Sequence, residues 1–349
     1  MTQKDRSFER NFTRIEKSGF SLSLGVRVAI FVVAPIALGV FIHESYLLFS
    51  TLGAFLLAMT EGQPSTPFAS ALALACFTEA TAVGIGTLVA TTGPVTAPIL
   101  LGIALFIILL ARGTAKFNTL GTFTAIAFAF GVGIPGASLE SAGIRASFVL
   151  IGSLWGLFGF GLHRFIVKRR KGRRRPSLAI IAPPPPIAHS LSRSERLRSA
   201  LLVAIACAIG FSIGYAFGFP RDYWVVATII FTVRPSISLT ATFTALLAAG
   251  TAAGALIAAV ITIAIGSNDV YLLTLVLFVL GILLFSSRGV NFGLMQLFLT
   301  SFIIVLLNIA FPGEWYLAIY RILDVGIGIG ISFVLVESLR ILKKEKTWL

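Results

Sequence analysis

Residues 222–245, DYWVVATIIFTVRPSISLTATFTA, are apolar enough for a lipid bilayer, yet Arg234 and Pro235 stand side by side in their middle. A guanidinium grips a carboxylate bidentately, and a charge is expensive inside a membrane segment. Proline removes a backbone donor and turns the residue before it out of the helical region, so Pro235 breaks the segment beside Arg234. Two readings stand: an anion anchor held at a helix break, or a tight cytoplasmic turn whose arginine marks orientation. The first half has MTEGQPSTPF at the same place (residues 59–68), with Glu61, Pro64 and Pro67. Paired Pro-interrupted segments in two halves of a membrane chain point to a transport site.

Other ionisable residues fall inside apolar stretches. Glu79 is mid-span, where facing lipid is costly. It is either a proton-coupling carboxylate or a carboxylic acid hydrogen-bonded to neighbouring helices. Arg321 and Asp324 are three apart on one helical face, and a structural ion pair is the default reading. Asp324 is also a second candidate for proton coupling. Arg145 opens the corresponding span of the first half, with Phe148 where its partner would be. Arg145 and Arg321 both fall toward the outer side in the topology below, where two basic groups attract a departing anion.

The elements that position these residues are membrane helices. The 349 residues are 57% hydrophobic and 12% charged, with a mean hydropathy of +0.95. A soluble domain carries about twice that charged fraction. Twelve apolar stretches predict an all-α polytopic protein, with spans near 25–42, 46–60, 68–90, 95–111, 119–134, 142–166, 198–218, 222–233, 239–265, 269–286, 292–311 and 317–341. The second and eighth are short. The net charge of +14 is clustered: six Lys/Arg in 1–27, eleven between Arg164 and Arg198, and Arg340, Lys343, Lys344 and Lys346 at the end. Clustered basic residues mark cytoplasmic segments. The organisation expected is therefore a cytoplasmic segment 1–24, a first six-helix repeat 25–167, a basic Pro-rich linker 168–197, a second repeat 198–341 and a cytoplasmic tail 342–349. The residues 1–24 do not read as a signal peptide. Cys76 and Cys207 read as small buried apolar residues.

The halves look like repeats. Arg112-Gly113 and Arg288-Gly289 are 176 residues apart, as are Arg145 and Arg321. ATAVGIGTLVA (80–90) resembles GTAAGALIAAV (250–260), and Tyr46 and Tyr223 each open a second span. Even span counts give both halves one orientation, the parallel type of transporter repeat.

YWVVATIIFTVRPSISLTATFTALLAAGTAAGALIAAVI (223–261) resembles the signature of the fusaric acid resistance-like family, which includes aromatic acid exporters. The resemblance rests on Tyr223-Trp224, Arg234-Pro235 and Gly250-Thr251-Ala252-Ala253-Gly254, with YRILDVGIGIGISFVL (320–335) similar to the family's last span. It covers the second half well and the first weakly. It implies a substrate that is aromatic, with Tyr223 and Trp224 against its ring.

Several functions are excluded or weakened. No Walker-type phosphate loop is present, so ATP hydrolysis by this chain is not expected. GIGIGI (326–331) lacks the strand–turn–helix context of a dinucleotide site and reads as helix packing. His43, His163 and His189 are dispersed, so neither a metal site nor a cofactor is expected, and an enzyme reading is weak. The basic run 168–175 is explained by orientation rather than nucleic acid. The expectation is an inner-membrane exporter of small organic carboxylates, gradient-driven, with both termini cytoplasmic. Its partners are the lipid bilayer and a small organic anion, and assembly into a homo-oligomer stays open. A passive anion channel and a non-transporting scaffold are the alternatives.

Overall fold

The computed structural model describes residues 19–60, 68–112, 118–171, 193–233, 237–266 and 269–345. Arg234, Pro235, Pro64, Glu61 and most of the expected linker lie outside these residues. The described residues form twelve α-helices and no strand. They are α1 Leu22–Ile42, α2 Leu47–Thr60, α3 Phe68–Ala90, α4 Thr96–Arg112, α5 Asn118–Gly133 and α6 Leu139–Lys171. These are followed by α7 Arg193–Ala216, α8 Tyr223–Thr232, α9 Ile237–Ile265, α10 Val270–Ser287, α11 Phe292–Ala310 and α12 Leu317–Glu345.

Each helix occupies one of the expected apolar stretches, because a chain in lipid must satisfy its backbone donors internally. Eight of them (α1, α3, α6, α7 and α9 to α12) are long and apolar enough to cross a membrane. The other four, α2, α4, α5 and α8, are shorter apolar helices. At 1.5 Å per residue, the ten residues of α8 reach about 15 Å, half of the hydrocarbon core. Its last helical residue, Thr232, is followed by Val233 in an extended conformation. Side chains supply several of the helix starts. Asp269 accepts from the Leu272 amide at the head of α10, and Asn291 accepts from Gly293 and Leu294 at the head of α11.

The helices pack in two series. In the first, α3 lies on α5 and α6, α2 on α6 and α1, and α4 on α5. In the second, α9 lies on α11 and α12, α8 on α12 and α7, and α10 on α11. The series meet where α1 lies on α10 and α4 on α7. Small residues permit the closest approaches: a β-carbon on Gly152 would strike the Ser50 carbonyl, and one on Gly254 the Leu297 carbonyl. The outward faces keep large apolar side chains such as Phe41, Ile107, Ile263 and Val334 exposed, as a lipid-facing surface requires.

Candidate functional site

Helix α12 carries Arg321, Asp324, Gly328 and Ser332 at spacings of three and four, so they share one face. Helix α8 answers with Trp224, Thr228 and Thr232, one per turn. Gly328 brings the helices so close that a β-carbon there would press on Thr228. At the far end of this seam the Thr232 and Ser332 hydroxyls are 2.6 Å apart. The hydroxyls are also satisfied along their own helices. Thr228 donates to the Trp224 carbonyl at 2.9 Å, Thr232 to Thr228 at 2.8 Å and Ser332 to Gly328 at 2.7 Å.

The other end of the seam is unsatisfied. Arg321 Nη1, both carboxylate oxygens of Asp324, Asp222 Oδ1 and Tyr223 Oη are buried without a hydrogen-bond partner. The residues are deeply enclosed: Asp324 is 0% exposed, Tyr223 4%, Arg321 6% and Asp222 7%. The expected ion pair between Arg321 and Asp324 does not form, although each lies within the other's electrostatic reach. The guanidinium instead lies over the Trp224 ring, 5.2 Å from its centroid. Asp222 and Asp324 repel one another through space. Each buried polar group left unsatisfied costs about 1–3 kcal/mol. Five such atoms in one cluster are what a bound polar molecule would satisfy.

Two loops cover this cluster. Arg221, in the α7–α8 turn, is 2% exposed and pairs with Glu314 of the α11–α12 loop at 2.7 Å. Its guanidinium also sits 4.9 Å over the Phe311 ring. Phe219 packs edge-on against Tyr320 beside it. Asp222, in the turn preceding α8, has its carboxyl pushed up to about 7 by burial, with Arg221 and a backbone hydrogen bond pulling the other way.

The first half holds a counterpart in a different state. Arg145 Nη1 donates to the Ile134 carbonyl at 3.2 Å, and Nη2 donates to the Pro135 and Gly136 carbonyls. Both terminal nitrogens are thus spent on the α5–α6 loop, and the guanidinium sits 5.5 Å over Phe49. Phe148, which stands where Asp324 stands in the second half, stacks on Tyr46. A run of rings joins the two arginines: Phe49 to Phe130, Phe130 to Tyr223, and Tyr223 to Trp224, at 6.3, 5.2 and 5.9 Å.

The structure therefore brings Tyr223, Trp224, Arg321 and Asp324 into one cluster and leaves Arg145 outside it, two phenyl rings from Tyr223. Glu79 has separate surroundings. It is fully buried in α3, accepts from Thr60 Oγ1 at 3.1 Å through Oε1, and leaves Oε2 without a partner. The end of α2 beside it is held by Arg288, which donates to the Ala58 and Met59 carbonyls at 2.8 and 3.2 Å. Asp222 and the Arg221–Glu314 pair were not expected as site residues. Asp222 adjoins the Tyr-Trp pair, which was a usable signal, but 93 residues separate Arg221 from Glu314 and no spacing rule links them.

No curated protein and no solved structure matches the chain. Residues 200–335, which run from α7 into α12 and contain the whole unsatisfied cluster, match the family described as fusaric acid resistance protein-like, a match that points to a membrane transporter of the efflux type.

Proposed function

We propose that this protein exports small organic carboxylates, aromatic ones among them, across the inner membrane, with the outer end of the α8–α12 seam as the anion site. The observation that carries this reading is Arg321. It is buried, keeps one terminal nitrogen without a partner, and lies over Trp224. A guanidinium in that state offers a directed bond to a carboxylate and an adjacent ring surface. Tyr223 and Trp224 give the wall for an aromatic ring. Asp324 and Glu79 are the buried carboxyls that would exchange protons during transport. Arg234, two residues beyond Thr232 in sequence, would receive the anion at the cytoplasmic mouth, with Pro235 and Pro64 making the helix breaks. Arg145 would support the outer field rather than bind directly.

The frame we infer is two six-helix repeats in parallel orientation, all twelve helices spanning and both termini cytoplasmic. It is supported by the recurring packing pairs and by the equivalent placing of Arg145 and Arg321 in them. Drive from the anion's own gradient or the proton gradient fits a sequence with no ATP-binding loop.

The test is equilibrium binding and counterflow of a small panel of aromatic carboxylates in proteoliposomes. Arg321→Lys keeps the charge but loses the fork, and is expected to weaken binding. Arg321→Gln is expected to abolish it. Undiminished binding by a folded Arg321→Gln protein would overturn this reading.

A further inference from the structure

The unsatisfied cluster contains acceptors as well as donors. Asp324 offers two buried oxygens and Asp222 one, beside the buried Nη1 of the Arg321 guanidinium. Tyr223 Oη can serve either way. A simple carboxylate placed on Arg321 leaves all three aspartate oxygens without partners and adds a negative charge beside them. A simple amine satisfies the aspartates and leaves the guanidinium open. One class of small molecule satisfies both sets at once: an ampholyte with a carboxylate and a protonated amine. The rings of Trp224 and Tyr223, 5.9 Å apart and steeply inclined, are the aromatic surface beside these groups against which a ring on the ligand would pack.

We infer that the site takes aromatic amino-carboxylates, the carboxylate on Arg321 Nη1 and the ammonium on the carboxyl oxygens of Asp324 and Asp222. The inference rests on the α8–α12 cluster being the transport site and narrows the carboxylates proposed for it. It also gives a use to Asp324 that the first half, with Phe148 at the corresponding place, does not have. One bound ampholyte per chain follows, because Arg145 is already occupied by the loop carbonyls.

The experiment is calorimetric titration of the purified full chain with three probes that share a phenyl ring: phenylalanine, 3-phenylpropionate (the amine removed) and phenethylamine (the carboxylate removed). Phenylalanine is expected to bind roughly 10- to 100-fold tighter than either, the worth of one hydrogen bond to a charged group. Asp324→Asn is expected to erase the preference over 3-phenylpropionate, and Arg321→Gln the preference over phenethylamine. Equal or tighter binding of 3-phenylpropionate by the wild type overturns the inference and leaves the carboxylate reading standing. Failure of all three probes to bind overturns both. The wild-type ratio decides the question even where a variant does not fold. A folded Asp324→Asn protein that keeps the full preference overturns the assignment of the ammonium.

Discussion

Arg145 and Arg321 occupy equivalent places in the two packing series, yet their removal should have opposite consequences. Arg145→Gln takes three hydrogen bonds away from the Ile134, Pro135 and Gly136 carbonyls. Hydrogen bonds to a charged group are worth about 1.5–3 kcal/mol each, and glutamine recovers at most one of them. Allowing for non-additivity within one side chain, the loss is about 3–5 kcal/mol. Arg321→Gln removes a ring contact worth about 1 kcal/mol and, in return, takes away a buried nitrogen that has no partner. Its net cost to folding is therefore about 1 kcal/mol or less. The assay is thermal unfolding of both variants at equal detergent and protein concentration, with ligand binding measured on the same preparations. Arg145→Gln should melt well below the wild type yet bind normally when cold. Arg321→Gln should melt near the wild type and lose its binding of simple aromatic carboxylates. Equal destabilisation by the two substitutions would refute the reasoning, since it would make Arg321 a structural brace like its counterpart.

Breaking the Arg221–Glu314 pair by Glu314→Gln leaves a 2%-exposed arginine without its charge partner, so it should cost about 3 kcal/mol and open the cluster to an externally added thiol reagent at an introduced Tyr223→Cys. The exchanged pair Arg221→Glu with Glu314→Arg should recover most of that protection; no recovery would show that the loops are held by their rings alone. Asp222 gives a pH dependence of known sign. Its carboxyl, raised from 3.8 to about 7 in the folded chain, holds a proton that the unfolded chain releases earlier. Its contribution is therefore present below about 4 and lost as the pH rises to about 7. Asp222→Asn should flatten that part of the stability profile, and an unchanged slope would assign it to another group. Glu79→Gln keeps the shape and the bond to Thr60 while removing titration. Proton-driven flux should fall in that variant, and unchanged flux would make Glu79 a structural acid.

The helices were legible because lipid imposes a simple rule: a long apolar stretch must satisfy its own backbone and therefore becomes a helix. Even the brevity of α8 was legible, since the expected span 222–233 is itself short. The contacts of the charged side chains were not legible in the same way. The spacing of Arg321 and Asp324 permits an ion pair, but Trp224, from a helix almost a hundred residues earlier, presents its ring to the guanidinium. Local spacing says what two residues can reach, and tertiary packing decides what they touch. The Arg221–Glu314 pair is the extreme case, since neither sequence neighbourhood holds any trace of the other. The difference between the halves lies between these extremes. Phe148 and Asp324 were visible as unlike residues at like positions, but their consequence depends on the loops. In the first half Arg145 ties down the α5–α6 loop, and a phenyl ring is all its helix then needs beside it. In the second half Arg221 holds the α11–α12 loop through Glu314, so the arginine on α12 is not required there. Arg145 thus braces a loop while Arg321, relieved of that task, keeps a buried nitrogen without a partner near Asp324, which is why the candidate site stands on α8 and α12 and not beside Arg145.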